Sequence, residues 1–141
     1  MLPIHLSILA VTAYFIFRAD YAAFQWVRGI VASLDMKRMV RYHLAVALGL
    51  LGMIVTGSLM VSAGASRFGI EVFTSNPAFL IKMSFVSLLV INAFVISFLM
   101  RGVRGIAFNA LTTKQKIPLM ISGAVSTIAW LGALSMAFFL E

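Results

Sequence analysis

A chain of 141 residues that is 62% hydrophobic and only 11% charged, with a mean hydropathy of +1.07, departs far from the roughly 25% charge of soluble domains. So short a chain cannot hide that much apolar surface in a water-soluble core, so lipid is its expected solvent and disorder is excluded. The absence of cysteine removes disulfides, thiolate metal sites and thiol nucleophiles, and 11 Lys and Arg against 4 Asp and Glu leave a net charge of +7.

Uncharged runs cover residues 1–17, 42–66, 83–100 and 117–140. Each crosses a ~30 Å hydrocarbon layer as a helix, and none shows the period-two alternation of a barrel strand. The predicted fold is all-α: a polytopic membrane protein, residues 1–141 forming a single domain, with four transmembrane helices in an up-down bundle. No basic residue precedes the first run, and Arg18, Ala19 and Asp20 do not make a small-residue cleavage site, so the run reads as a retained span rather than a signal peptide.

After the first run, Tyr21, Phe24, Val27, Val31 and Leu34 recur at spacings of three and four. That pattern predicts a short interfacial amphipathic helix after helix 1, or helix 1 running on past the membrane. Trp26, Tyr21 and Tyr42 are expected at headgroup level, where amphipathic rings settle. Ser75, Asn76 and Pro77 mark a turn before the third span, which reaches back to Val72 if Lys82 snorkels. Gly102 and Gly105 punctuate its end between Arg101 and Arg104, Thr112 with Gln115 matches a capping box, and Pro118 is expected in a first turn. No internal repeat or low-complexity linker is present.

The connection between runs one and two carries Arg18, Arg28, Lys37, Arg38 and Arg41 against Asp20 and Asp35, a net +3; that between three and four carries Arg101, Arg104, Lys114 and Lys116, a net +4. The middle connection has Arg67 against Glu71. By the positive-inside rule the two basic connections face the cytoplasm and both termini lie outside the cell membrane. The basic excess is therefore a topology signal directed at anionic lipid headgroups, and no nucleic-acid partner is expected.

Thr12, Thr56, Asn92, Ser126, Thr127 and Trp130 fall near the middle of their runs. An amide at that depth needs a partner, so Asn92 is expected to face another helix. The set reads either as interhelical hydrogen bonding or as a polar layer lining a path through the membrane. Gly49, Gly52, Gly57, Ser122 and Ser126 are small residues that let helix backbones approach. Asp20, Asp35, Glu71 and Glu141 all lie outside the uncharged runs, so no paired-carboxylate chemistry and no acidic proton relay is expected.

The two histidines, His5 and His43, enter the membrane from opposite sides, about 20 Å apart along its normal, and cannot grip one metal ion together. His43, beside Arg41 and Tyr42, reads as an interfacial residue. His5 shares the outer side with Lys82 and Met60. These three could hold haem b by its iron and a propionate, or cuprous copper by imidazole and thioether, with His5 as the metal ligand; the alternative is that Lys82 snorkels outward and His5 caps a helix end.

His5 on the first helix, His43 leading into Gly49, Thr56 and Gly57, then Asn76 and Pro77 before Lys82, Asn92, and finally Ser126 and Trp130 together resemble small bacterial four-helix proteins of the copper-resistance-D-like type. More loosely they resemble the J-type membrane protoporphyrinogen oxidase. That likeness implies a bacterial inner-membrane location and a haem or copper site near the outer face, with His5 and Lys82 at the matching positions. The tryptophan- and glycine-rich surroundings of the oxidase's histidine are missing from Leu2 to Phe17, so porphyrin oxidation is not implied. Three roles follow: a haem- or copper-binding redox module, a subunit of an oligomeric transporter or channel, or a non-catalytic anchor in a homo-oligomer or larger membrane complex.

Overall fold

The computed structural model describes residues 1–137 and, among these, contains helices and connections but no strand; Glu141 and the end of the fourth apolar run lie outside the described residues. The elements are α1 (Leu2–Val27), α2 (Met36–Phe68), α3 (Glu71–Thr74), α4 (Pro77–Arg101), a 3₁₀ turn at Phe108–Ala110 and α5 (Thr113–Ala137). α1, α2, α4 and α5 are each long and apolar enough to cross a membrane. Large apolar side chains, including Phe17 and Phe68, are about three-quarters exposed, as suits helices solvated by lipid.

Local chemistry sets the helix ends. Arg18 and Asp20 do not stop α1, because charge ends a hydrophobic run without ending a helix; it stops at Val27, just before Gly29 takes a positive φ of 70°. No separate helix follows it: Tyr21, Phe24 and Val27 are exposed residues of α1 itself, whereas Val31 and Leu34 belong to the irregular link, and Leu34 is buried. Of the two expectations, a short separate helix or a helix 1 that runs on, the structure has the second as far as Val27. One result is that Asp20, expected in a connection, lies inside a helix.

Asp35 caps α2 by accepting from the Arg38 N–H at 3.2 Å, and Gly69, at φ 86°, ends it. With 33 residues α2 is about 50 Å long, so it outreaches a ~30 Å hydrocarbon layer. Asn76 Oδ1 accepts from the Ala78 N–H at 2.9 Å and starts α4 one residue before Pro77, which separates Val72 from the third span. Gln115 Oε1 accepts from the Thr112 N–H at 3.0 Å, the returning half of a capping box. Because α5 begins at Thr113, Pro118 sits beyond the first turn and removes a bond to the Lys114 carbonyl, where a first-turn position had been expected.

The long helices pack as two antiparallel hairpins. In the first, Gly49, Gly52 and Gly57 of α2 lie against Thr12, Ile8 and His5 of α1; a methyl group on Gly49 would overlap the Thr12 hydroxyl. Thr12 is only 1% exposed and turns its hydroxyl back to the Ile8 carbonyl at 2.6 Å. In the second hairpin, Gly132 of α5 receives the Phe85 ring of α4. Asn92 Nδ2 donates to the Ser122 carbonyl at 2.9 Å while Ser122 Oγ donates to Asn92 Oδ1 at 2.8 Å. This reciprocal pair, 8% and 3% exposed, supplies the interhelical partner that the amide requires at this depth.

Two apolar clusters join the hairpins. One surrounds Trp26 with Leu34, Met39, Met100, Val103, Leu111 and Leu119 at the end that carries the basic connections. Trp26 is 3% exposed, donates from Nε1 to the Ile106 carbonyl at 3.0 Å and meets Phe108 edge to face at 5.1 Å. It is a buried tie between hairpins, whereas the sequence suggested a headgroup ring. The other cluster is Leu50, Leu89 and Ala129, flanked by Met53, Phe85 and Trp130.

Candidate functional site

Two places bring polar side chains together between helices. The first lies at the end of the first hairpin, where the α1–α2 register sets His5 opposite Thr56. His5 Nδ1 is 2.7 Å from Thr56 Oγ1, and Thr56 Oγ1 is 2.8 Å from the Gly52 carbonyl. A hydroxyl has one proton. If it goes to Gly52, in the back-bond common for threonine within helices, the hydroxyl must accept from the imidazole. Nδ1 then carries the ring proton, and the Nε2 lone pair is free.

Lys82, in the second turn of α4, follows the short α3 link that leaves the same end of α2, and it is partly buried. Met60 is one turn beyond Thr56 on α2, about 6 Å along the axis, and is also half-buried. His5, Thr56 and Lys82 therefore share one end of the molecule. Among the described residues no group of three or more His, Asp or Glu side chains forms a metal cage.

The second place is a cleft of about 770 Å³ between the hairpins, lined by all four long helices. Most of its wall is apolar, but Asp20 of α1 and His43 of α2 face it from neighbouring helices. The pairings Thr12 with Gly49 and His5 with Thr56 set the α1–α2 register, which puts Asp20 and His43 level to within about one turn. His43 thus lines an internal surface, where the sequence had suggested only an interfacial residue. Asn92, Ser126 and Trp130 also border the cleft, whereas Thr56 faces α1 instead. The midplane polar residues are consequently divided between one hairpin's seam and the cleft.

Several polar groups on the cleft wall are already engaged: Asn92 with Ser122, Ser97 with the Ala93 carbonyl, and Thr127 with the Gly123 carbonyl. Asp20, His43 and Ser126 have no side-chain hydrogen bond to any described residue. Asp20 was out of view in the sequence because three charged or apolar neighbours, Arg18, Ala19 and Tyr21, read as a connection. The signal that could have placed it is the unbroken helical spacing from Phe17 through Phe24. No protein-family model, curated protein or solved structure matches this chain.

Proposed function

We propose that this is a small integral membrane protein that binds haem b, or copper, through His5 and serves as a redox module. The observation that carries the reading is the 2.7 Å approach of His5 Nδ1 to Thr56 Oγ1, in which the imidazole is the donor when the threonine proton goes to the Gly52 carbonyl 2.8 Å away. Metal-bound imidazoles regularly give their second nitrogen's proton to such a partner, which fixes the tautomer and the ring plane. Nε2 of His5 would be the axial ligand, Lys82 would meet a propionate, and Met60 would offer a thioether to copper in the alternative occupancy. A haem there supplies one-electron chemistry. The chain's own part is to orient the imidazole, place a cation beside it and keep both at one end of the helices.

The same reading sets the His5 end outward in a cell membrane and the basic end toward the cytoplasm, as the charge distribution of the connections supports. Arg101, Lys114 and Gln115 border a smaller pocket of about 370 Å³ with Phe98 and Leu99, a combination suited to an anionic headgroup and the start of its chains.

The test is an absorbance spectrum of detergent-purified protein made with haem available, oxidised and dithionite-reduced, alongside elemental analysis for iron and copper. A stoichiometric Soret band is expected, with α and β bands sharpening on reduction, or stoichiometric copper. His5→Ala abolishes the signal, and Thr56→Val, which removes the orienting acceptor, lowers affinity by about 10- to 100-fold. A colourless, metal-free protein, or a full band retained in His5→Ala, overturns the assignment.

A further inference from the structure

We propose that the cleft between the hairpins binds a membrane-soluble amphiphile with an aromatic diol head, of the quinol class, its hydroxyls donating to Asp20 and His43 and its tail lying along the apolar wall. This site is separate from the cofactor end: from position 43 to position 56 α2 climbs about 20 Å.

The volume comes first. At about 770 Å³ the cleft falls within the range of about 300–1,000 Å³ typical of small-molecule sites, and its wall is largely apolar with a few polar groups, as such sites are. Its position between apolar helices gives a hydrophobic tail a natural medium from which to enter.

The polar end selects the head. Asp20, exposed where it borders the cleft, and His43, partly exposed, are two ionisable groups on one surface, and neither has a side-chain hydrogen bond within the described protein. A carboxylate accepts only, and a neutral imidazole offers one accepting nitrogen, so the pair calls for two donors on one head. An ester lipid has none to give at its linkages, and a fatty acid would bring a second carboxylate beside Asp20.

The ring is indicated by the walls. Phe24 and Trp26 on α1, Phe94 on α4, and Phe108 and Trp130 nearer to and on α5 all border the cleft. Aromatic faces and edges favour a flat aromatic head over a branched or linear one. Both tryptophans of the chain are in this set, so occupancy has a built-in reporter.

The experiment uses the full chain in lipid nanodiscs, titrated with a decyl-substituted benzoquinol while tryptophan emission is followed. Saturable quenching is expected, with the oxidised quinone binding more weakly because it has no hydroxyl to give Asp20. Asp20→Asn and His43→Gln should each weaken quinol binding by about tenfold or more, as loss of a charge-assisted or buried hydrogen bond does. Unsaturable quenching that tracks partition into protein-free nanodiscs overturns the proposal. So does stronger competition by decylamine than by the quinol, which needs no variant to fold, or unchanged binding in both variants. The titration is run on protein made without added haem or copper, so quinol binding to the metal-free chain is read separately from the cofactor assignment.

Discussion

The seams inside the hairpins and the contact between them are built on different principles. Within α1–α2, glycines at 49, 52 and 57 bring the backbones close, and Thr12 satisfies its hydroxyl on its own helix. Within α4–α5 the seam is a pair of hydrogen bonds exchanged by Asn92 and Ser122. Between the hairpins contact is mostly apolar: side-chain clusters at the Trp26 end, tied by the Trp26 bond to the Ile106 carbonyl, and around Leu50 join the two and leave the cleft between them. In lipid, where apolar contact between helices competes with equally apolar solvent, close backbone approach and polar pairing are what bind helices, so tight seams and a looser junction follow from which residues face which.

The largest break should come at the junction. Trp26→Ala empties the buried centre of the cluster that links α1 to the 3₁₀ turn and α4–α5, and a loss of about 3–5 kcal/mol is expected for an aromatic side chain so placed. Unfolding in mixed micelles would measure it, and Trp26→Phe, which keeps most of the ring but not the bond to Ile106, should lose about 1 kcal/mol. If both changes are neutral, the junction is not held at this end.

Next comes the glycine seam. Gly49→Val forces apart α1 and α2 at Thr12 and should destabilise by about 1–3 kcal/mol, with Thr12→Ala restoring part of the loss in the double variant because the clash is between those two side chains. Additive effects would contradict the close approach. The smallest effect is expected at the polar seam. Asn92→Leu should cost about 0.6–1.7 kcal/mol, the span of interhelical hydrogen bonds measured in membranes. A double-mutant cycle with Ser122→Ala should show coupling between the two.

The comparison also shows what the sequence could reveal. Spans, caps and the need of Asn92 for a partner were legible, because hydropathy, Asn76 and the Thr112–Gln115 pair act locally or through a simple burial penalty. The extent of α1 was legible only as one of two alternatives, since Arg18 and Asp20 interrupt hydrophobicity without interrupting backbone hydrogen bonding. The cleft was not legible. His43 and Asp20 look like interfacial residues until the register of α1 against α2 and the separation of the hairpins place both on one inner wall. Trp26 was misplaced for a related reason: an indole suits a headgroup region and a buried seam equally, and only the Ile106 carbonyl, eighty residues away, decides between them.

The central structural claim, two closely zipped hairpins enclosing a ligand-sized cleft, is most directly tested by spin-label distance measurements in lipid bilayers, which the absence of native cysteine makes clean. Label pairs on exposed positions would report α1 against α2, α4 against α5, and α1 against α5. Narrow distributions are predicted within each hairpin and a broader one across the cleft, narrowing when the benzoquinol is added, because fewer buried contacts fix that separation. An α1–α5 distribution as narrow as the others and short enough to close the cleft would contradict the account.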